Sequence, residues 1–133
     1  MVIFDSGEFD QRSATVVNIG LFRNETDFQR FGAGETIFKE GDAGKLMYVV
    51  LEGEVSLHVK GREVERLSPG GVLGEMSLID DAPRSATAIA TTGCKLVPVT
   101  EQRFTFMVQQ TPNFALQITR IIADRLRAMD RRL

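Results

Sequence analysis

Two residues of opposite charge, Glu75 and Arg84, stand nine positions apart in a segment otherwise made of glycines, small residues and a short apolar run. A guanidinium presents paired, directed N–H donors that match the oxygens of a phosphate or carboxylate. The surrounding segment Gly70–Thr87 holds the other parts of an anion cradle. Pro69, Gly70 and Gly71 punctuate the chain and let backbone approach a ligand closely. Gly74 precedes Glu75–Ile79, a run of fair helix propensity that Asp80–Pro83 stops within about one turn. The first amides of such a helix have no intrahelical acceptor and are ready donors to an anion. Arg84 opens a β-like run, Ser85–Ala90, that could hold its guanidinium near those amides. The same residues also have a purely structural use. Glu75 suits a helix start, and Arg84 can be the ion-pair partner of Glu75 or of Asp81.

Composition narrows the chemistry. The only histidine, His58, sits mid-strand among apolar neighbours, and the only cysteine, Cys94, reads as a small buried hydrophobe at a strand start. Neither a Ser-x-x-Lys nor a Gly-x-Ser-x-Gly motif occurs, so no enzyme is expected. A single cysteine excludes an internal disulfide framework and a cysteine-cluster zinc site. With 133 residues, 43% hydrophobic and 26% charged, the chain suits one globular domain with a core of its own. A net charge of −2 argues against a field designed for nucleic acid or an anionic membrane. The N-terminus lacks a basic, then apolar, leader, and no run of apolar residues is long enough to span a bilayer, so a soluble, cytoplasmic protein is expected.

Several segments must position the cradle. Residues 1–30 read as an N-terminal arm with short connecting elements, including a short strand at Val16–Ile19 and apolar anchors at Leu21, Phe22 and Phe28. Residues 31–100 carry short β-runs at regular spacing with glycine turns: Phe31–Phe38, Leu46–Leu51, Val55–Val59, Glu63–Leu67, Ser85–Ala90 and Lys95–Thr100. That pattern predicts a mainly β fold, a sandwich or roll. Residues 101–133 read as helices: Glu101–Gln110 capped by Thr100, then a second started by Pro112. In the second, Ile118, Ile122, Leu126, Met129 and Leu133 form one apolar stripe, widened by Phe114, Leu116 and Ile121. It is wide enough to cover the roll and to meet a second copy. Five arginines against two aspartates over residues 120–133 make this end locally basic, which a solvated helix face and the C-terminal dipole explain.

Three stretches, Phe31–Asp42, Met47–Val55 and Gly71–Thr87, closely resemble the cyclic nucleotide-binding domain. That family spans bacterial catabolite activators, regulatory subunits of cyclic AMP-dependent kinase, and cyclic nucleotide-gated channels. The resemblance runs from about Phe31 to the C-terminus, and Gly70–Thr87 corresponds to the family's phosphate-binding cassette. It implies a double-stranded β-helix or jelly-roll barrel with flanking C-terminal α-helices. It also implies that Arg84 pairs with the cyclic phosphate and Glu75 accepts from the ribose 2′-hydroxyl. Leu73, Gly74, Met76, Ser77, Ser85, Ala86 and Thr87 share the cassette, with backbone amides near Gly74, Ser85 and Ala86 completing the cradle. Leu57, Val64 and Leu73 fall where the family lines its base pocket. Arg125 aligns with a helix arginine that approaches the ligand in the bacterial activators. With no aromatic beyond Phe114 in the last helix, Met129 or Arg125 is left to cover the base.

The expected function is therefore a stand-alone sensor of a 3′,5′-cyclic nucleotide, cyclic AMP first and cyclic GMP second, that signals through its C-terminal helix to a protein effector or a second protomer. In the kinase branch, alanine after the cassette arginine goes with cyclic AMP and threonine with cyclic GMP; Ser85 lies between them. No further cofactor, metal or membrane contact is expected. The alternatives are a DNA-associated transcription regulator of the bacterial activator type, disfavoured by charge, and a degenerate β-roll used for assembly without ligand.

Overall fold

The computed structural model describes residues 16–22 and 24–132. A 3₁₀ turn, Ile19–Phe22, precedes strands β1 (Gln29–Phe31), β2 (Thr36–Phe38), β3 (Met47–Glu52), β4 (Val55–Val59), β5 (Arg62–Leu67) and β6 (Val72–Leu73). A second 3₁₀ helix, Glu75–Leu78, is followed by β7 (Thr87–Ala90), β8 (Cys94–Val99) and the helices α1 (Glu101–Gln110) and α2 (Asn113–Arg132). The strands form two four-stranded sheets, β1-β8-β3-β6 and β2-β7-β4-β5, with every pairing antiparallel. This is the mainly β roll with C-terminal helices that the sequence leads one to expect.

Alternation along the first sheet builds two cores. Met47 and Val49 of β3, Val72 of β6, and Val97 and Val99 of β8 face a layer made by Met107, Phe114, Ile118 and Ile121 of the helices and by Val17 and Phe22. The intervening residues Tyr48, Val50, Leu73, Cys94 and Leu96 face inward, against Val55, Leu57, Leu67, Ala88 and Ala90 of the second sheet. Burial on both faces explains why β3 reads as a continuous apolar run rather than an alternating one.

Some expectations fail locally. Val16–Ile19 is no strand: the Val17 amide donates to the Gly70 carbonyl at 2.8 Å, and the Asn18 amide donates to the Gln117 side-chain oxygen at 2.9 Å. One carbonyl and one helix side chain tie this segment down, not a sheet edge. β6 lies inside the cassette, where its two residues pair with Val49 and Tyr48. β7 begins at Thr87, so Arg84 belongs to no strand. Its backbone is fixed instead by the β2–β3 loop, accepting from the Gly41 amide and donating to the Asp42 carbonyl, each at 2.8 Å. The stripe of α2 divides: Phe114, Ile118 and Ile121 are buried, whereas Leu116, Leu126 and Met129 are 46%, 53% and 48% exposed. Leu133 lies outside the described residues.

The helical layer turns on Phe114, whose ring meets Phe104 at 5.5 Å and Phe22 at 6.2 Å. Thr100 caps α1, its hydroxyl accepting from the Arg103 amide at 3.1 Å. The Arg103 guanidinium pairs with Glu25, which joins the N-terminal segment to α1. Phe114→Ala removes the shared ring, and urea unfolding should record a loss of about 3–5 kcal/mol. The hydrogen bond from Arg103 holds the Glu25 carboxyl below its ordinary value of 4.5, against the opposing effect of burial. Its stabilisation is therefore full above that ordinary value and is lost as pH falls through the lower folded-state value. Glu25→Gln should lower the melting temperature at neutral pH and flatten the acid limb below pH 4.5, as thermal melts across pH will record.

Candidate functional site

The cassette leaves β6 through Gly74, whose φ of 76° and ψ of 16° turn the strand directly into the 3₁₀ helix Glu75–Leu78. A Cβ at Gly74 would lie 2.5 Å from Arg84 Nη1 and 2.9 Å from the Leu46 carbonyl oxygen, so both the turn and the close approach require glycine. The helix ends as the Ile79 and Asp80 amides donate to the Met76 carbonyl at 3.0 and 3.1 Å. The Asp80 carboxylate then accepts from the Ala82 amide at 3.0 Å, which starts the turn toward Arg84.

Arg84 is 7% exposed. Its Nη1 donates to the Leu46 carbonyl at 2.9 Å and to Ser77 Oγ at 2.8 Å. One face of the guanidinium lies over the Phe38 ring, 4.1 Å from its centroid. Nε is buried without a hydrogen-bond partner, alone in this among the buried side-chain nitrogens and oxygens of the described residues. The structural alternative fails, because Glu75 pairs with Arg125 and Asp81 with Lys45 at 3.1 Å. Burial lowers the guanidinium's pKa, opposed only in part by the fields of Tyr48, Asp42 and Glu75. With Nη1 committed, the side-on Nε–Nη2 edge is left without an acceptor in the protein. That edge carries two parallel donors, the arrangement that fits two oxygens of an anion. Gly44 packs against this edge, and only glycine fits: a Cβ there would lie 2.3 Å from Nε and 2.5 Å from Nη2.

The second charged centre is Glu75, 6% exposed. Its carboxylate accepts from Arg125 Nη1. Arg125 also donates through Nε to Glu65 Oε1 at 2.9 Å and through Nη2 to the Val72 carbonyl. Burial pulls the Arg125 pKa down, but the two carboxylates outweigh it and raise it. α2 is thereby tied to the strand that enters the cassette, to its acid and to β5.

The remaining sequence-predicted residues divide by position. Leu73 and Leu57 are buried in the inner core, with Val64 and Ala86 packed against it. Met76 is half-buried, Ser85 is exposed, and Thr87 Oγ1 accepts from the Glu40 amide at 3.0 Å, bracing the loop beside β2. Met129 stands apart, half its surface open. Sequence reasoning missed Phe38, Gly44 and Leu46 around Arg84, and Glu65 beside Arg125. Gly44 left a signal, as the closing glycine of the turn Glu40–Gly44. Glu65 left none, because a register shift between Leu57 and His58 sets it opposite the inward Leu57.

The site is thus a β-roll holding a buried arginine whose Nε–H has no acceptor in the protein, near a buried, ion-paired acid. The chain belongs to the cyclic nucleotide-binding domain family, whose model matches residues 28–111. The cyclic AMP receptor protein of Thermus thermophilus is 35% identical over 84% of this chain and 57% of its own length. The chain thus spans little more than half of that relative. The crystal structure of the Thermus thermophilus catabolite activator protein superposes with a TM-score of 0.67 at 32% identity, covering 83% of this chain and 59% of that one. A structure described by the words "a cyclic-GMP-dependent signalling pathway regulates bacterial phytopathogenesis" gives a TM-score of 0.69 at 26% identity, over 81% of this chain and 89% of that one.

Gly44→Ala should perturb the site more than the fold. The three atoms nearest the added Cβ all belong to the buried Arg84 guanidinium, so cyclic nucleotide affinity should fall roughly tenfold or more, the scale of one lost charge-assisted hydrogen bond, with a modest drop in melting temperature as the guanidinium is displaced. Calorimetric titration beside a thermal melt checks both.

Proposed function

We propose that this domain is a cytoplasmic sensor of a 3′,5′-cyclic nucleotide, with cyclic AMP the preferred ligand and cyclic GMP the second, and that it is not an enzyme. The observation that carries the reading is the buried Arg84 with its unmet Nε–H. A buried guanidinium without a counter-charge is costly, and an anion that fills its open edge offsets that cost. A cyclic phosphodiester carries one negative charge and two free oxygens, which suits a two-donor edge. The amides of Gly74, Ser85 and Ala86 complete the phosphate cradle, and Met76, Ser77 and Thr87 support it. Glu75 accepts from the ribose 2′-hydroxyl, the base rests on Leu57, Val64 and Leu73, and Arg125 or Met129 covers it.

The relay runs through α2. Arg125 and the ribose compete for the Glu75 carboxylate, so ligand entry changes one of the contacts that tie α2 to the roll. The half-exposed Leu126 and Met129 supply an apolar face for the output, met by a protein effector or by α2 of a second protomer.

Isothermal titration with both nucleotides tests the assignment. The wild type should bind, and Arg84→Ala should weaken binding roughly a hundredfold or more, since two hydrogen bonds to a charged group are lost. Unchanged tight binding in the variant overturns the phosphate assignment. Ligand at a hundred times its Kd should also stabilise the fold by about 2.7 kcal/mol, read as a rise of several degrees in the melt. No rise with either nucleotide favours the reading of a roll used for assembly.

A further inference from the structure

The pairing of β2 with β7 shifts register between Thr36 and Phe38, so that Thr36 opposes Ile89 and Phe38 opposes Ala88. Such a bulge re-aims a side chain. Here it brings two successive residues, Ile37 and Phe38, against the same inner core. The redirected Phe38 ring stacks on Tyr48, centroids 6.4 Å apart and planes 29° apart. Its other neighbour is the Arg84 guanidinium, 4.1 Å from the ring centroid. Leu46 and Ser77 take Nη1, and the backbone of Gly44 lies close to Nε and Nη2. The guanidinium is therefore held at Nη1 by two acceptors, along Nε–Nη2 by Gly44 and over its face by the Phe38 ring, with Tyr48 behind the ring as a backstop.

We infer that Phe38 is a positioning residue that sets both affinity and anion selectivity at Arg84, by holding the guanidinium plane so that only the Nε–Nη2 edge reaches a ligand. The inference rests on the cyclic nucleotide reading above. A fixed two-donor edge satisfies a cyclic phosphodiester, with its two free oxygens and single charge. A 5′-monophosphate brings a third oxygen and a second negative charge that this edge leaves unmet. Without the ring, the guanidinium can tilt and swing its Nη1 edge toward the extra oxygen, so discrimination falls along with affinity. Attraction between a cation and a ring face adds to the hold when the pair is desolvated, as it is here.

The test is titration of the wild type, Phe38→Leu, Phe38→Met and Phe38→Tyr with cyclic AMP and with 5′-AMP, alongside thermal melts and the NMR signal of the Arg84 Nε–H group in the ligand-free protein. Both aliphatic variants should bind cyclic AMP about tenfold more weakly and show a smaller preference for it over 5′-AMP. Phe38→Tyr should keep the wild-type affinity and preference. The Nε–H proton, shifted by the ring current in the wild type and in Phe38→Tyr, should move to an ordinary position in the aliphatic variants. Two aliphatic variants guard against one of them failing to fold, and Phe38→Tyr with the NMR signal tests the stack if neither folds. The inference is overturned by wild-type affinity and preference in Phe38→Leu or Phe38→Met, by a loss in Phe38→Tyr equal to theirs, or by a Nε–H signal that ignores the ring. A wild type that binds no cyclic nucleotide overturns the reading beneath; a wild type that binds through Arg84 while ignoring Phe38 overturns this inference alone.

Discussion

A cation buried without a matching anion is the constraint on which the rest of the structure depends. Arg84 is taken from water, given two acceptors on one nitrogen and an aromatic face, and left with a donor unmet. Arg125, the partly buried arginine of the site, is the opposite case. Each of its nitrogens donates to a carboxylate or a carbonyl. Similar side chains, one in the cassette and one on α2, thus serve different ends. A saturated guanidinium acts as a tie between elements, whereas one with a buried, unmet donor carries a cost that the fold must offset elsewhere.

The two arginines are coupled through the cassette between them. Glu75, which begins the 3₁₀ helix, bonds Arg125, and Ser77, two residues later, bonds Arg84. A helix of one turn has no interior to absorb displacement. The Arg84 and Arg125 contacts are thus two residues apart on a single turn. Glu65 matters in this arrangement because it gives Arg125 a second carboxylate at 2.9 Å, so α2 is tied to β5 as well as to the cassette.

What was legible in the sequence was mostly what is local. The cassette Gly70–Thr87 is continuous, its turn residues act on their neighbours, and the positions of its short helix and of Arg84 follow from the chain order. The β-runs and the cap of α1 at Thr100 are local in the same sense. The surroundings of Arg84 were not legible, because Phe38, Gly44 and Leu46 arrive from β2 and the loop after it, and a bulge decides where Phe38 points. Glu65 escaped for a related reason: a period of two cannot show an irregular register. The stripe on α2 gave the helix and its apolar face, but spacing alone does not say where the roll ends. Phe114, Ile118, Ile121 and Ile122 pack on the core, whereas Leu116, Leu126 and Met129 stay exposed.

The sheet β1-β8-β3-β6 lines both the inner core and the helical layer, and strand alternation assigns each of its side chains to one or the other. Met47 and Val49 belong to the helical side, Tyr48 and Val50 to the inner side of the roll. Two sets of packing demands can therefore act on one strand with little interference, odd positions answering to the helices and even positions to the interior. Such a division makes the sheet a party wall. The helices behind it can be remodelled, lengthened or joined to another module while the chamber in front stays as it is, which gives one recognition unit a route to serve many kinds of output.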